Sequence, residues 1–469
     1  MAVDRWEEAF APYLPLVGDT EAFLTSLHRP LPVTLWVNPR KTTPESFLAY
    51  CASLGLSPEP IHWYPGGFRM PATLRPGANL PYVAGWVYVQ EEVAMTAALA
   101  LDPQPGEKVV DLCASPGGKT AQMALRVGPG GLVVANEAQL DRLPALRATV
   151  DRLGLTNVLT TWADGRRLPL PAGVWDRVLL DAPCTGEGTV RKRKANFKPP
   201  SPAFRKSLVA LQRGLLTAAL RLVKPGGVVV YSTCTFAPEE NEAVLDAVLG
   251  DAGFLEPWEV PGLKAAPGVV LWQGQRFRED VGFAKRFWPH LNDTGGFFVA
   301  RIRRTDAPLV LGAPPPRKGK LPFAPGDVDL LEPLCQRFGI EKEAFTHYAF
   351  WQRGHRVLWM SDAGCGPPPE TPVEGVGMPI LELTNRGPKP KTFALQLLAP
   401  WVRRNLVELP DLAAARRFVS GQTQNLQAPG VAPGYVLVRY GPFALGCGLY
   451  ARGQLFSQIP KGLQLELDG

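Results

Sequence analysis

The middle of the chain alternates short apolar runs with stretches of helical periodicity. Five runs rich in β-branched residues lie at 109–112, 132–135, 158–161, 178–180 and 228–231. Such runs, alternating with helices, are typical of a mostly parallel sheet with helices on both faces. Two later runs, at 287–288 and 297–302, flank a short turn segment and predict an antiparallel hairpin. The pattern therefore predicts a Rossmann-like α/β domain with a mostly parallel, seven-stranded sheet over residues 79–305.

The two flanks predict smaller units. In residues 1–78 the pattern predicts a small α+β module, with helices over 5–13, 20–27 and 44–54, a cap at Thr43 and a strand over 33–37. Residues 306–326 contain several Pro and Lys and have no periodicity, which is typical of a linker. Residues 327–469 combine a helix over 412–418 with strands over 435–439 and 444–450, and predict a compact β-rich region.

Composition narrows the class of protein. The 469 residues are 46% hydrophobic and 20% charged, as in a folded globular protein rather than a disordered one. The 50 Lys and Arg against 43 Asp and Glu give a net charge of +7, which allows a polyanionic partner without requiring one. The chain begins without the pattern of a signal peptide, and no apolar run approaches the roughly 20 residues of a membrane span. We therefore expect a cytoplasmic protein that does not contact a membrane.

A glycine-containing loop follows the first strand of the predicted sheet. Residues 111–120, DLCASPGGKT, lead from the strand into a helix, where glycines and the helix N-terminus favour a close-lying ligand. A nucleotide hydrolase is one interpretation, because Gly118-Lys119-Thr120 fits a phosphate-binding loop, although Cys113 replaces its first glycine. The alternative is the cofactor loop of a methyltransferase, which requires an acidic residue at the next strand end, where Glu137 lies. The second interpretation is favoured and the first stays open.

Acidic residues follow four successive strands of the predicted sheet. They are Asp111, Glu137, Asp164 and Asp181. A single such residue is more often a helix cap or part of a surface turn. Four of them at the carboxyl edge of an open α/β sheet, where ligands bind, indicate a binding site.

Two of the seven cysteines also lie at strand ends, Cys184 after the fourth strand and Cys234 after the fifth. Carbon 5 of cytosine is a poor nucleophile, so an enzyme that methylates it must first add a nucleophile to carbon 6. A thiolate suits this task because it is strongly nucleophilic and also leaves readily. Neighbouring strands would bring the two cysteines together. The other cysteines, including Cys113, are interpreted as packing residues, and without a C-x-x-C pair we expect no metal site.

These features resemble the RNA cytosine-C5 methyltransferases of the NSUN/RsmB type, and among them the bacterial 16S rRNA enzymes of the RsmF (YebU-like) type. The matching segments are residues 88–92, 111–120, 136–137, 181–188, 231–241 and 288–298. The resemblance implies methylation of cytosine carbon 5 in 16S rRNA with S-adenosylmethionine as cofactor. It implies that Cys234 is the nucleophile, that Cys184 helps to release the product, and that Asp181 and Lys119 lie in the catalytic site. The cofactor-binding residues that it implies are Cys113, Ala114, Ser115, Pro116, Gly117, Gly118, Lys119, Glu137, Arg142, Asp164 and Asp181.

Basic residues indicate where RNA would bind. The predicted RNA contacts are Arg191, Lys192, Arg193 and Lys194, directly after the Cys184 segment, and Asn38, which matches an Arg-x-Asn segment of relatives although Trp36 replaces its Arg. A second basic cluster lies in the C-terminal region, which resembles a PUA-type RNA-binding module. Its members are Arg386, Lys389, Lys391, Arg403 and Arg404. The expected partner is ribosomal RNA or the small ribosomal subunit, bound by a monomer. The alternatives are a tRNA substrate, a nucleotide hydrolase, and a non-catalytic RNA-binding factor.

Overall fold

The structure is a computed structural model. It describes residues 5–71, 75, 77–193, 197–308, 323–354, 356–368, 371, 373–385 and 387–465. None of the described helices is both long and apolar enough to cross a membrane.

The described part of the central sheet has ten strands, and its middle is parallel. The five predicted apolar runs form the parallel strands, which lie in the spatial order Val223–Thr233, Trp175–Asp181, Lys108–Asp111, Leu132–Glu137 and Val158–Trp162. The predicted hairpin is confirmed as Lys285–Phe287 and Phe297–Arg304, with Phe287 opposite Phe297. Three short strands join these seven, namely Gly253–Leu255, Ala266–Pro267 and Val373–Val376.

Helices cover both faces of this sheet. They are Thr96–Leu101, Gly118–Val127, Leu143–Leu153, Pro202–Leu222 and Glu242–Leu249, with the shorter helices Leu80–Val83, Val190–Arg193 and Pro289–Asn292 at the edges. Successive residues of a strand point to opposite faces. Val110 and Val134 accordingly belong to one buried cluster and Val109 and Val133 to another. The sheet therefore has a hydrophobic core on each side, which accounts for the continuous apolar runs in the sequence.

The N-terminal module contains the predicted helices, as Arg5–Phe10, Thr20–His28 and Pro44–Ser53. The hydroxyl of Thr43 accepts a hydrogen bond from the amide of Ser46, as expected of a helix cap. Its four-stranded sheet has the order Glu59–Pro60, Gly67–Met70, Val33–Val37 and Val87–Val89. Because the last of these strands lies beyond residue 78, the module's sheet extends past the predicted boundary.

The C-terminal region contains two five-stranded sheets. The first has the order Phe323–Pro325, Tyr348–Arg353, Val357–Asp362, Met378–Thr384 and Gly387–Pro390, and the second Leu406–Glu408, Gly434–Tyr440, Phe443–Ala451, Gln454–Ser457 and Gln424–Asn425. The helices of this region are Glu332–Phe338, Thr392–Leu398 and Leu412–Val419. A separate pair of strands, Leu271–Trp272 and Gln275–Arg276, lies in the domain of the central sheet.

The borders of the C-terminal region differ from the prediction. Phe323–Pro325 lies inside the predicted linker but forms an edge strand, and residues 309–322 of that linker lie outside the described residues. Val373–Val376 pairs antiparallel with Val158–Trp162, so the C-terminal region contributes a strand to the central sheet. The C-terminal region and the domain of the central sheet are therefore less separate in the structure than the sequence pattern indicates.

Candidate active site

The loop after the first parallel strand lies at the carboxyl edge of the sheet. Its backbone is held by the neighbouring strand, because the amide of Ala114 donates to the carbonyl of Asn136 at 2.8 Å. The buried side chain of Asn136 donates in turn to the carbonyls of Leu112 and Ala163, and so ties three strand ends together. Gly117 caps the following helix at φ 107°, a left-handed conformation that favours glycine. We refer to residues 112–118 as the cofactor loop.

Two of the predicted acidic residues border the outer part of this site. Glu137 is buried, with one oxygen accepting from the amide of Gln139 and the other 3.7 Å from a guanidinium nitrogen of Arg142. Arg142 also donates to the carbonyl of Ser115 at 2.8 Å, and so connects Glu137 to the cofactor loop. Asp164 is more exposed and caps a short 3-10 helix, Gly165–Arg167.

The other two acidic residues are Asp111, which is buried, and Asp181, which is partly exposed. Burial raises the pKa of Asp111 to about 7, and Thr120 donates to one of its carboxyl oxygens at 2.6 Å. The second oxygen, Oδ1, is buried and has no hydrogen-bond partner among the described residues. Asp181 accepts from Ser232 Oγ and lies 2.7 Å from the ammonium of Lys119. Burial alone would lower the pKa of Lys119, but the charge of Asp181 and the hydrogen bond to it outweigh burial and raise it.

Cys184 and Cys234 come together at the ends of the two adjacent strands. Their Sγ atoms are 3.4 Å apart although 50 residues separate them in the chain, and the amide of Cys234 donates to Cys184 Sγ at 3.3 Å. The hydrogen bond to Cys234, followed by burial, raises the pKa of the Cys184 thiol well above its ordinary value. Cys184 therefore keeps its proton at neutral pH. Lys119 belongs to the same site, because the negative charge of a Cys234 thiolate contributes to raising the lysine's pKa.

The remaining cysteines have the packing positions that the sequence predicts. The buried ones are Cys51, Cys335, Cys365 and Cys447. Cys113 is half-buried on the cofactor loop, and burial raises its pKa well above the ordinary value. It lines the cleft beside Ala114 and Asp111.

A cleft lies between the cofactor loop, the Lys119–Asp181 pair and the segment 88–91. Its lining residues are Tyr88, Val89, Gln90, Glu91, Asp111, Cys113, Ala114, Ser115, Pro116, Gly118, Lys119, Asp181 and Lys192. The segment 88–91 was recognised in the sequence only as a matching motif, without a role. In the structure the carboxylate of Glu91 accepts from the amide of Gly295 at 2.8 Å and so ties the cleft to the hairpin turn.

The side chains of this cleft fit S-adenosylmethionine. The positively charged sulfonium and ammonium groups of this cofactor need nearby carboxylates, and Asp111 and Asp181 both line the cleft. The ribose hydroxyls need an acceptor, and the carboxylate of Glu137 lies at the end of the second strand, where such an acceptor is expected. Among the described residues, no cluster of His, Cys, Asp and Glu could hold a metal ion.

Two of the predicted RNA contacts are corrected by the structure. The side chain of Arg191 is fully buried and donates to the carbonyls of Pro30 and Thr294 and to Asp293. Asn38 is also fully buried. Its amide donates to the carbonyls of Gly85 and Leu153 at 3.0 Å each. Both side chains are occupied inside the protein, so neither is available to RNA.

The rest of the basic run differs in accessibility. Lys192 is exposed and lines the cleft, whereas Lys194 lies outside the described residues. Arg193 ends the helix Val190–Arg193. In the C-terminal cluster Arg403 and Arg404 are exposed, Lys391 pairs with Glu382, and Arg386 lies outside the described residues.

Three family models match successive parts of the chain. Residues 8–92 match the N-terminal domain of 16S rRNA methyltransferase RsmF, residues 98–303 match 16S rRNA methyltransferase RsmB/F, and residues 404–465 match the methyltransferase RsmF PUA domain. Ribosomal RNA small subunit methyltransferase F of Escherichia coli O127:H6 is 32% identical over 462 residues, which is 96% of this chain and 94% of that protein. The corresponding protein of Escherichia coli O6:H1 is 33% identical over 463 residues, with the same coverage.

Solved structures show the same fold. A methyltransferase homolog protein from Pyrococcus horikoshii is 31% identical, with a TM-score of 0.56 over 63% of this chain and 93% of that one. NSun6 from the same organism, with SFG, is 22% identical and matches with a TM-score of 0.55 over 64% of this chain and 98% of that one. These matches exclude the alternative interpretation of residues 111–120 as the phosphate-binding loop of a nucleotide hydrolase. The chain belongs to the S-adenosylmethionine-dependent 16S rRNA methyltransferase RsmB/F family.

Proposed function

We propose that this chain methylates carbon 5 of a cytosine in 16S rRNA, with Cys234 as the nucleophile and Cys184 as its partner. The observation that carries the proposal is the 3.4 Å separation of the two sulfur atoms beside the Lys119–Asp181 pair. A thiolate, a second thiol and an ion pair at one strand edge supply what addition to a pyrimidine ring requires.

The cofactor would be held by the cofactor loop and by the acidic residues around it. Glu137 would bind the ribose hydroxyls, and Asp111 and Asp181 would lie near the positive charges. Arg142 would act indirectly, because it connects Glu137 to Ser115. S-adenosylmethionine supplies an electrophilic methyl group when it is bound.

The protein's own contribution begins with Cys234. Its thiolate would form a bond to carbon 6 of the cytosine, and the electron pair of the ring double bond would move onto carbon 5, which becomes nucleophilic. Asp181 would lie near the base and stabilise the protonated ring. Once carbon 5 carries the methyl group, it would lose its proton to water, the electron pair of that carbon–hydrogen bond would re-form the ring double bond, and the carbon–sulfur bond would break with its electron pair returning to Cys234 as a thiolate.

Cys184 is suited to the release step. Its thiol keeps a proton because its pKa is raised, and it lies in contact with Cys234 Sγ. A thiol in that position can hydrogen-bond to the departing thiolate and stabilise its negative charge. This position and the raised pKa suit Cys184 to release, and the favourable interaction of Lys119 with a negative charge on Cys234 supports Cys234 as the residue that attacks.

RNA would reach the site past Lys192, which is exposed at the cleft. The C-terminal region, with Arg403 and Arg404 exposed, would bind a more distant part of the substrate. We propose that the enzyme acts as a monomer in the cytoplasm, on ribosomal RNA or on the small ribosomal subunit.

Single substitutions of the cysteines test this proposal. Incubated with RNA and S-adenosylmethionine, Cys184→Ala should accumulate a covalent protein–RNA adduct visible as a shifted band on a denaturing gel, because release is impaired. Cys234→Ala should form none. Cys335→Ala, at a buried cysteine of the C-terminal region, is the matched control and should behave like the wild type. The reverse pattern for the first two variants would overturn the assignment of roles.

The substrate is tested separately. Bisulfite sequencing of cellular RNA from a strain that lacks the gene should reveal cytosines that lose their modification. Loss in 16S rRNA supports the proposal, and loss confined to tRNA would refute the proposed substrate while leaving the chemistry intact.

A further inference from the structure

The residues that follow the two cysteines are both threonines. Thr185 comes after Cys184 and Thr235 after Cys234, and their hydroxyl oxygens are 2.7 Å apart. The two loops are therefore in contact twice in succession, first through the two sulfur atoms and then through the two hydroxyl groups. No role in the proposed chemistry has been given to either threonine.

Each threonine is bound to a buried glutamate of the opposite loop. Thr185 contacts Glu240 through both its amide, at 3.0 Å, and its hydroxyl, at 2.6 Å. Thr235 Oγ1 lies 2.9 Å from Glu187 Oε2. Glu240 belongs to the segment after Cys234, and Glu187 to the segment after Cys184, so the two contacts cross between the loops. Such reciprocal contacts restrain the loops against sliding past each other.

The hydrogen count makes this arrangement specific. Two hydroxyl groups carry two hydrogens, but three short contacts join Thr185, Thr235, Glu187 and Glu240. Both hydroxyl hydrogens are directed to carboxyl groups, with Thr185 donating to Glu240 and Thr235 donating to Glu187, so each threonine is tied to the other loop. Arg205 and the hydroxyl of Tyr13 also donate to Glu187, which fixes that carboxyl group.

Two further side chains hold the glutamates in place. Arg205 Nη2 lies 2.6 Å from Glu187 Oε1, and Arg205 Nε lies 3.6 Å from Glu240 Oε1. Gln212 donates both to Glu240, at 3.0 Å, and to the carbonyl of Pro183, at 2.8 Å. Arg205 and Gln212 both belong to the helix Pro202–Leu222, so a rigid element fixes the carboxyl groups behind the cysteines.

We propose that Thr185, Thr235, Glu187 and Glu240 form a clasp that sets the distance between Cys184 and Cys234, and that they are positioning residues for release of the methylated RNA. This inference rests on the proposed function, in which Cys184 assists the departure of Cys234. Misplacing a reacting group by about 1 Å can slow a reaction by about a hundredfold. A smaller displacement of Cys184 should slow release by about tenfold.

The two loops should stay together when one clasp hydroxyl is removed. The amide of Ala182 donates to the carbonyl of Ser232 and the amide of Gly188 to the carbonyl of Cys234, each at 2.8 Å. These backbone bonds lie on either side of the clasp and need no side chain. A clasp variant should therefore fold and bind S-adenosylmethionine.

The test compares Thr185→Val, which removes the hydroxyl at nearly constant volume, with Thr185→Ser, which keeps it. In the otherwise wild-type enzyme Thr185→Val should lower kcat and KM for RNA together by about tenfold, leave kcat/KM unchanged and make a covalent adduct visible during turnover, because the slowed step follows covalent capture. Thr185→Ser should restore turnover to within about twofold of the wild type. Where Thr185→Val does not fold, Thr185→Ala replaces it.

The same substitution in the Cys184→Ala background separates positioning from general damage. Adduct formation depends there on Cys234 alone, so adding Thr185→Val should leave its rate unchanged. Normal turnover of Thr185→Val, or an equal loss of adduct formation in both backgrounds, would overturn the clasp. Absence of any adduct in Cys184→Ala itself would instead refute the proposed function, so the two failures can be told apart.

Discussion

Arg191 and Lys192 are neighbours in a basic run, yet the structure predicts opposite effects when each is replaced by Ala. The guanidinium of Arg191 is fully buried between the N-terminal module and the hairpin turn, whereas Lys192 is exposed at the cleft. Arg191→Ala should destabilise the fold without changing how the remaining folded protein responds to salt. Lys192→Ala should leave stability unchanged and weaken RNA binding in a salt-dependent way.

The contacts of Arg191 set the magnitude. Its nitrogens lie 2.8 Å from the carbonyl of Thr294, 2.7 Å from that of Pro30 and 3.3 Å from that of Arg29. Leaving a buried hydrogen-bond acceptor without a partner costs about 1–3 kcal/mol. For a carbonyl oxygen the cost is near the lower limit, because its second lone pair can still accept another hydrogen bond. Loss of three partners, together with the ion pair to Asp293, should lower the free energy of unfolding by about 3–5 kcal/mol.

For Lys192 the relevant quantity is the salt dependence of binding. Each phosphate contact contributes about 0.7–0.9 to the slope of log K against log salt concentration, so losing one contact should reduce that slope by nearly one unit. Urea unfolding measures the first effect, and filter binding to a 16S rRNA fragment at several salt concentrations measures the second. A stable Arg191→Ala protein with a reduced slope would show that the guanidinium is exposed to RNA and that the corrected assignment is wrong.

Three further predictions concern stability. Because the pKa of Asp111 is raised to about 7 by burial, the folded protein holds a proton that the unfolded chain releases near its ordinary value of about 4. The free energy of unfolding should therefore fall as pH rises from about 4 to about 7, by at most about 4 kcal/mol, and urea midpoints of Asp111→Asn should lose this slope. Arg286→Met removes one partner of a fully buried ion pair with Glu242 and should lower the free energy of unfolding by about 3–5 kcal/mol. The control is Arg276→Met, which breaks an exposed pair with Glu279 and should lower it by at most about 1 kcal/mol. Thermal melts that show equal losses for the two variants would contradict this effect of burial. Thr43→Ala removes a helix cap and should lower the free energy of unfolding by about 1 kcal/mol, and Thr43→Ser should restore it.

The sequence was sufficient to predict the sheet and the positions of the reacting groups, for a physical reason. Parallel strands buried on both faces require continuous apolar runs, and such runs are visible without any knowledge of tertiary contacts. Because the carboxyl ends of those strands share one edge, residues such as Asp181 and Cys234 had to lie near each other. The contact between Cys184 and Cys234 follows from the adjacency of their strands, although 50 residues separate them.

The errors have a common physical origin. A basic or amide side chain has the same local signature whether it binds RNA or a buried carbonyl, because polarity in the sequence does not reveal tertiary partners. Arg191 and Lys192 share one short helix, Val190–Arg193, and adjacent helical residues point about 100° apart, so one can be buried and the other exposed. The N-terminal boundary was missed for a related reason, since one of the two partner strands of Val33–Val37 begins only at Val87.

The order of the two cysteines is where the structure adds most to the sequence. Chemistry and strand position single out Cys184 and Cys234 together, and only family resemblance distinguished them. The structure supports the proposed order: the hydrogen bond to Cys234, followed by burial, raises the pKa of the Cys184 thiol, while a negative charge on Cys234 interacts favourably with the ammonium of Lys119. A thiol that holds its proton, beside a sulfur whose negative charge a cation can stabilise, is the arrangement in which we expect Cys234 to attack and Cys184 to assist release.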